Sequence, residues 1–145
     1  MVEVVSKPSI GKYQHSLELH MMEDQTETVN TAVIRRLLEK NQGKMKLSLS
    51  ICARCSLCAE SCFLFNTHNK DPKYMPSYKF IHSIAEIYKR KGKIDRAMLK
   101  EISVNIWERC VLCTRCYCPF GIDIPSMIAL ARSICRSQGV FPRYD

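Results

Sequence analysis

Residues 51–62 read ICARCSLCAESC, and they place Cys52, Cys55, Cys58 and Cys62 in a C-x2-C-x2-C-x3-C run. Two residues between successive thiols let one tight loop present three sulfurs to three corners of a cubane 4Fe-4S cluster. A fourth corner must then be reached from elsewhere. In two-cluster ferredoxins the fourth Cys of such a run serves the other cluster, so a second run is expected. The stretch RCVLCTRCYCPFG supplies it, with Cys110, Cys113, Cys116 and Cys118, and Pro119 directly after the last. The expected cofactors are two 4Fe-4S clusters, one on Cys52, Cys55, Cys58 and Cys118, the other on Cys110, Cys113, Cys116 and Cys62.

Composition agrees with metal-binding thiols. The chain has 145 residues, nine of them Cys, fewer than a small disulfide scaffold would carry, and 46% hydrophobic residues to build a modest core. Its opening, MVEVVSKPSIG, lacks the charged start and apolar run of a secretory signal, and no apolar stretch is long enough to span a membrane. A cytoplasmic setting with reduced thiols is the expectation, in which Cys clusters read as metal ligands before disulfides.

The formal net charge is +8 with the thiols neutral. Two oxidised clusters with their thiolates, at roughly −2 each, would leave about +4, so much of the basic excess balances the cofactor. Arg54, Arg109 and Arg115 lie in or beside the runs, either as solvated side chains or as charges that stabilise a reduced cluster. The one basic run, YKRKGK at 88–93, reads as a helix end rather than a nucleic-acid patch.

Along the chain, residues 1–27 hold a β-prone VEVV and no sustained period, an arm that either docks on a partner or stays loose. From Thr28 the pattern is helical, with Val33, Ile34, Leu37 and Leu38 on one face and Gly43 as a stop. The division that follows is an arm and first helix over 1–45, then a two-cluster unit over 46–145. Residues 44–50 alternate weakly, and FLFN after Cys62 reads as a short helical turn or two. Residues 68–77, with two prolines, form a loop. A helix starts at Ser77, carrying Ile81, Ile84, Ala85 and Tyr88, and ends before Gly92. Asp95 caps a third, with Met98, Leu99, Ile102 and Ile106, and Trp107 follows as core or as a shield for the metal. Asp123, Pro125 and Gly139 mark the bounds of a fourth. The fold class is mainly α, a helical ferredoxin-like domain with two cluster-binding loops.

This pattern resembles the helical ferredoxin domain found in the C subunit of heterodisulfide reductase and in related proteins of sulfur metabolism. ICARCSLCAESC, Asp71-Pro72, Trp107 and CPFGID at 118–123 carry the resemblance. Iron-sulfur subunits of succinate and glycolate dehydrogenases share the domain more distantly. The resemblance implies an electron-transfer subunit of a hetero-oligomeric complex, with no substrate site of its own, between a flavin subunit and a catalytic subunit with Cys-Cys-Gly motifs. It further implies a sulfur-linked process, with the oxidative branch favoured by CPFGIDIP.

One departure stands out: the family's second run ends C-x3-C-P, whereas Tyr117 alone separates Cys116 from Cys118. Normal two-cluster ligation, an altered second site and loss of one cluster all stay open on this point. Cys135 is the candidate substitute ligand, although Ile128, Ala131 and Cys135 share an apolar helical face where a free Cys acts as a small hydrophobe. Zinc would want ligands in C-x2-C pairs, and His15, His20, His68 and His82 have no spacing that completes such a site. A basic zinc module that binds nucleic acid is the rival of a different class.

Overall fold

The computed structural model describes residues 28–144, which contain helices and turns and no strand. The VEVV segment, His15 and His20 lie outside the described residues. Helix α1 is Thr31–Lys40, capped by the Asn30 side chain, which accepts from the Val33 N–H at 3.2 Å. Its apolar face sends Ile34 and Leu38 into the core.

Gly43 does not end this helix. The chain breaks at Asn41, whose side chain donates to the Leu37 carbonyl at 2.9 Å, and resumes as α2, Gln42–Ile51. The weak alternation over 44–50 is therefore helical, with Met45 and Ser48 turned inward. Lys, Met and Leu are good helix formers, and Gly43 stands in open space where its missing side chain leaves no cavity.

Beyond the first cysteine loop come α3, Phe63–Thr67, and a 3₁₀ turn, Pro72–Tyr74, whose Asp71 cap accepts from the Lys73 N–H. The expected single helix from Ser77 is two helices, α4 (Pro76–Ile81) and α5 (Ile84–Lys89). Ser83 interrupts them with a non-helical backbone while its hydroxyl donates to the Lys79 carbonyl. This local bond competes with continuation of the helix. Helix α6, Arg96–Ser103, begins at its Asp95 cap and widens into a π-helical turn, Val104–Glu108. Helix α7, Ile124–Ser137, begins at Asp123 and ends in a Schellman motif, in which the Val140 N–H reaches the Cys135 carbonyl and the Gly139 N–H that of Arg136.

Helix α7 is the hub. Seven of its fourteen residues are buried, Ile124, Met127, Ile128, Leu130, Ala131, Ile134 and Cys135, and it packs against α1, α4, α5, α6 and the π turn. The Asn30 N–H donates to the Gln138 side chain at 2.7 Å, tying the start of α1 to the end of α7. No helix among the described residues is long and apolar enough to cross a membrane.

Gly92 shows how tightly α1 is laid down. It has φ +75°, and a Cβ there would stand 3.0 Å from the Ile34 side chain. A left-handed conformation costs an L-residue about 1–2 kcal/mol before any clash is counted. Gly92→Ala is expected to destabilise the loaded protein by at least that much, about 1–2 kcal/mol, read as a lower denaturant midpoint; an unchanged midpoint goes against the close α1–Gly92 packing.

Candidate metal centre

The cysteines of the two runs gather around two separate cavities. The first is lined by Cys52, Cys55, Cys58 and Cys118 together with Ser77, Phe80, Ile122 and Ile124. The second is lined by Cys62, Cys110, Cys113 and Cys116 together with Lys79, Pro125 and Ile128. Each run thus gives three sulfurs to one cavity and its last to the other. Helix α4 and the first turns of α7 form the wall between them: Ser77 and Phe80 face one cavity and Lys79 the other, as do Ile124 on one side and Pro125 and Ile128 on the other.

The loop backbone repeats itself in both runs. Arg54 and Ser56 flank Cys55 with φ of 53° and 64°, and Leu112 and Thr114 flank Cys113 with φ of 53° and 63°. None of these is glycine, so each stores strain of about 1–3 kcal/mol. Residues of alternating handedness turn successive N–H groups toward one concavity, an arrangement suited to an anion and found at iron-sulfur sites. One such N–H, of Leu112, donates to the Cys110 sulfur at 3.4 Å.

The shortened Cys116–Tyr117–Cys118 segment still serves both cavities. Tyr117 points out into solvent, 62% exposed, and its N–H donates to the Ser61 hydroxyl at 3.0 Å. Ser61 in turn donates to the Cys58 carbonyl at 3.0 Å. The two runs are therefore pinned together where each sends its last cysteine across.

Two side chains with no signal in the motif spacing support the second cavity. Arg132 of α7 donates to the Ile106 carbonyl at 2.9 and 2.7 Å and to the Cys110 carbonyl at 2.6 Å, holding the π turn against the loop. Burial, the main cause, lowers its pKa, opposed by the Cys110 thiolate. Lys79, 2% exposed, places Nζ 3.7 Å from the Cys62 sulfur. Cys62 Sγ also lies 3.5 Å from the Tyr74 carbonyl. Of the arginines singled out by sequence, Arg54 stands exposed at the rim of the first cavity, Arg109 is held by the Asn105 side chain, and Arg115 is exposed.

Trp107 packs against the core, one of its two expected roles, and lines neither cavity. It is half-buried, with the guanidinium groups of Arg132 and Arg136 at 5.4 and 5.9 Å from its ring. Cys135 lies in neither cavity; it is fully buried in the core, its thiol pushed up to about 12 by burial alone. His68 and His82 are exposed and stack at 4.0 Å on Tyr74 and Tyr78.

The donor set fits a cluster. Four cysteines line each cavity, the number of thiolates a 4Fe-4S cluster takes. Burial pushes the Cys116 thiol up to about 12, with the Cys110, Cys62 and Cys113 thiolates adding to the rise and Lys79 opposing it. Thiolates so placed need cationic charge between them, which iron provides.

Residues 48–122 match the family of 4Fe-4S dicluster domains, and the chain belongs to that family. It is 32% identical over 123 residues to an Hdr-like menaquinol oxidoreductase iron-sulfur subunit 2 of Archaeoglobus fulgidus, covering 74% of this chain and 21% of that protein. An Hdr-like menaquinol oxidoreductase iron-sulfur subunit of Archaeoglobus profundus is 31% identical over 125 residues, covering 76% and 22%. The heterodisulfide reductase-like character read from the motifs is thus met by these relatives, of whose length the chain spans about a fifth. No solved structure matches the chain.

Two outcomes test the site. Ser61→Ala removes the pin between the runs, worth about 0.5–1.5 kcal/mol, and should speed the anaerobic bleaching of the clusters by a chelator; an unaltered rate argues against the pin. Without iron, thiolates crowded around strained loops would repel one another, so helical circular dichroism should fall on chelation, and an apo spectrum equal to the loaded one refutes coupling of folding to metal.

Proposed function

We propose that the chain relays single electrons through two 4Fe-4S clusters, one held by Cys52, Cys55, Cys58 and Cys118, the other by Cys62, Cys110, Cys113 and Cys116. The partition of the eight cysteines between two cavities, four to each, carries this reading. Residues 46–145 form the two-cluster unit of this proposal, with residues 1–45 as arm and first helix. Such clusters exchange electrons without a substrate pocket, because the chemistry belongs to the cofactor. What the protein contributes is position: α4 and α7 hold the two sites side by side, with Cys58, Cys62 and Cys110 buried and Cys55 and Cys113 at the surface.

The relay works in a complex. Apolar side chains stand exposed around the cysteine loops, with Leu57 at 45%, Phe63 at 52%, Val111 at 57% and Phe120 at 53%. Solvent-facing apolar groups at the rim of a redox site suit cover by another protein. A flavin-bearing subunit and a Cys-Cys-Gly catalytic subunit of a heterodisulfide reductase-like complex in sulfur metabolism are the proposed neighbours, in a cytoplasmic setting. The relatives' names favour a second reading, in which electrons derive from a quinol oxidised by a partner.

Iron analysis of anaerobically prepared protein tests the core of this reading. About eight iron per chain and a reduced-state signal of two interacting spins are expected; about four iron, or stoichiometric zinc, refutes it. Cys135→Ala should leave the iron content intact, and a loss of iron there makes Cys135 a ligand rather than core.

A further inference from the structure

The two cavities are unequal in one respect. An ammonium group is buried in the wall of the second and not of the first. Lys79 is 2% exposed, on the face of α4 turned away from Ser77 and Phe80, and its Nζ lies 3.7 Å from the Cys62 sulfur. Among the described residues no carboxylate pairs with it, so the polar group its ammonium reaches is a sulfur of that cavity. The first cavity has Arg54 at its rim, but that side chain is exposed and screened by water; its inner wall is Ser77, Phe80, Ile122 and Ile124.

Burying a lysine ammonium is strongly unfavourable unless an anion compensates it. The Cys62 thiolate, and a negatively charged cluster on it, are such an anion. A cationic donor to a cluster sulfur stabilises the reduced state more than the oxidised one, since reduction adds one negative charge next to it. Hydrogen bonds to the sulfurs, net charge and solvent exposure are what set the potential of an iron-sulfur cluster. The low dielectric of a buried contact strengthens the effect over that of a surface charge.

We propose that Lys79 is a positioning residue that raises the reduction potential of the cluster at Cys62, Cys110, Cys113 and Cys116 above that of the cluster at Cys52, Cys55, Cys58 and Cys118. An electron entering from a one-electron donor then comes to rest on the second site, and the relay has a direction within the domain. No bond forms or breaks in the step: one electron leaves the donor and the second cluster gains one unit of negative charge. The proposal rests on the two-cluster reading above.

Mediated reductive titration followed by electron paramagnetic resonance tests it, with Cys113→Ser used to mark which signal belongs to the second cluster. In Lys79→Met the second cluster should become at least about tenfold harder to reduce, a fall of about 59 mV for one electron, while the first stays put. Lys79→Arg, which keeps the charge and the donor, should retain the wild-type order of potentials. Equal shifts of both clusters, no shift in a fully loaded Lys79→Met protein, or a fall in Lys79→Arg as large as in Lys79→Met each overturn the assignment. If Lys79→Met loads only its first cluster, the arginine variant decides alone: order retained supports the proposal, order lost ends it. Wild-type protein with about four iron fails the two-cluster reading itself, a result distinct from unmoved potentials in loaded protein.

Discussion

Four thiolates do not share an apolar cavity without positive charge between them, and the architecture follows from that constraint. Burial and three neighbouring thiolates all act in the same direction on Cys116. Cationic iron held there would reverse the sign of this balance, and metal binding and closure of the loops would then form one equilibrium rather than two. The strain stored at Arg54, Ser56, Leu112 and Thr114 points the same way, since non-glycine residues stay in the left-handed region only where their surroundings hold them there.

The helices turn this local demand into a spatial arrangement. Seven of the fourteen residues of α7 are buried and it packs against α1, α4, α5, α6 and the π turn, so its N-terminal turns are firmly anchored, and both cavities are built against them. Asp123 starts the helix there as a charged cap. Its carboxyl is lowered to about 2, first by the hydrogen bond from Lys44 and then by those from Ser126, so the start of α7 is also fastened to α2. Helix α4 completes the wall by helical geometry alone, since residues three apart share a side and the residue between them turns away. The two cavities lie on either side of one wall, and each cysteine run contributes to both.

The crossing of the runs explains how the shortened second run is tolerated. A three-residue spacer before the last cysteine would let the chain loop from one cavity to the other. Here the single residue Tyr117 does so by projecting its side chain into solvent and giving its N–H to Ser61, next to Cys62, which crosses the opposite way. The spacer's length matters less than the fixed point it is fastened to.

The cysteine spacings, by themselves, determined the cluster-binding class, and helix caps such as Asp95 and Asp123 a mainly helical frame, because a cubane's corners dictate local spacing and capping is local chemistry. Cys135 was legible for the same reason, as a position on the apolar stripe of α7. Tertiary structure decided the rest. Gly43 looked like a stop, yet Asn41 makes the break, and Ser83 splits a continuous apolar pattern through a bond to its own helix; such competition between local hydrogen bonds has no periodic signature. Trp107 became a platform for Arg132 and Arg136 only because α7 folds back over the π turn. Arg132 and Lys79 carried no signal at all in the spacing, since an arginine or lysine within an amphipathic helix reads as a solvated side chain until the packing shows which anion or carbonyl lies opposite it.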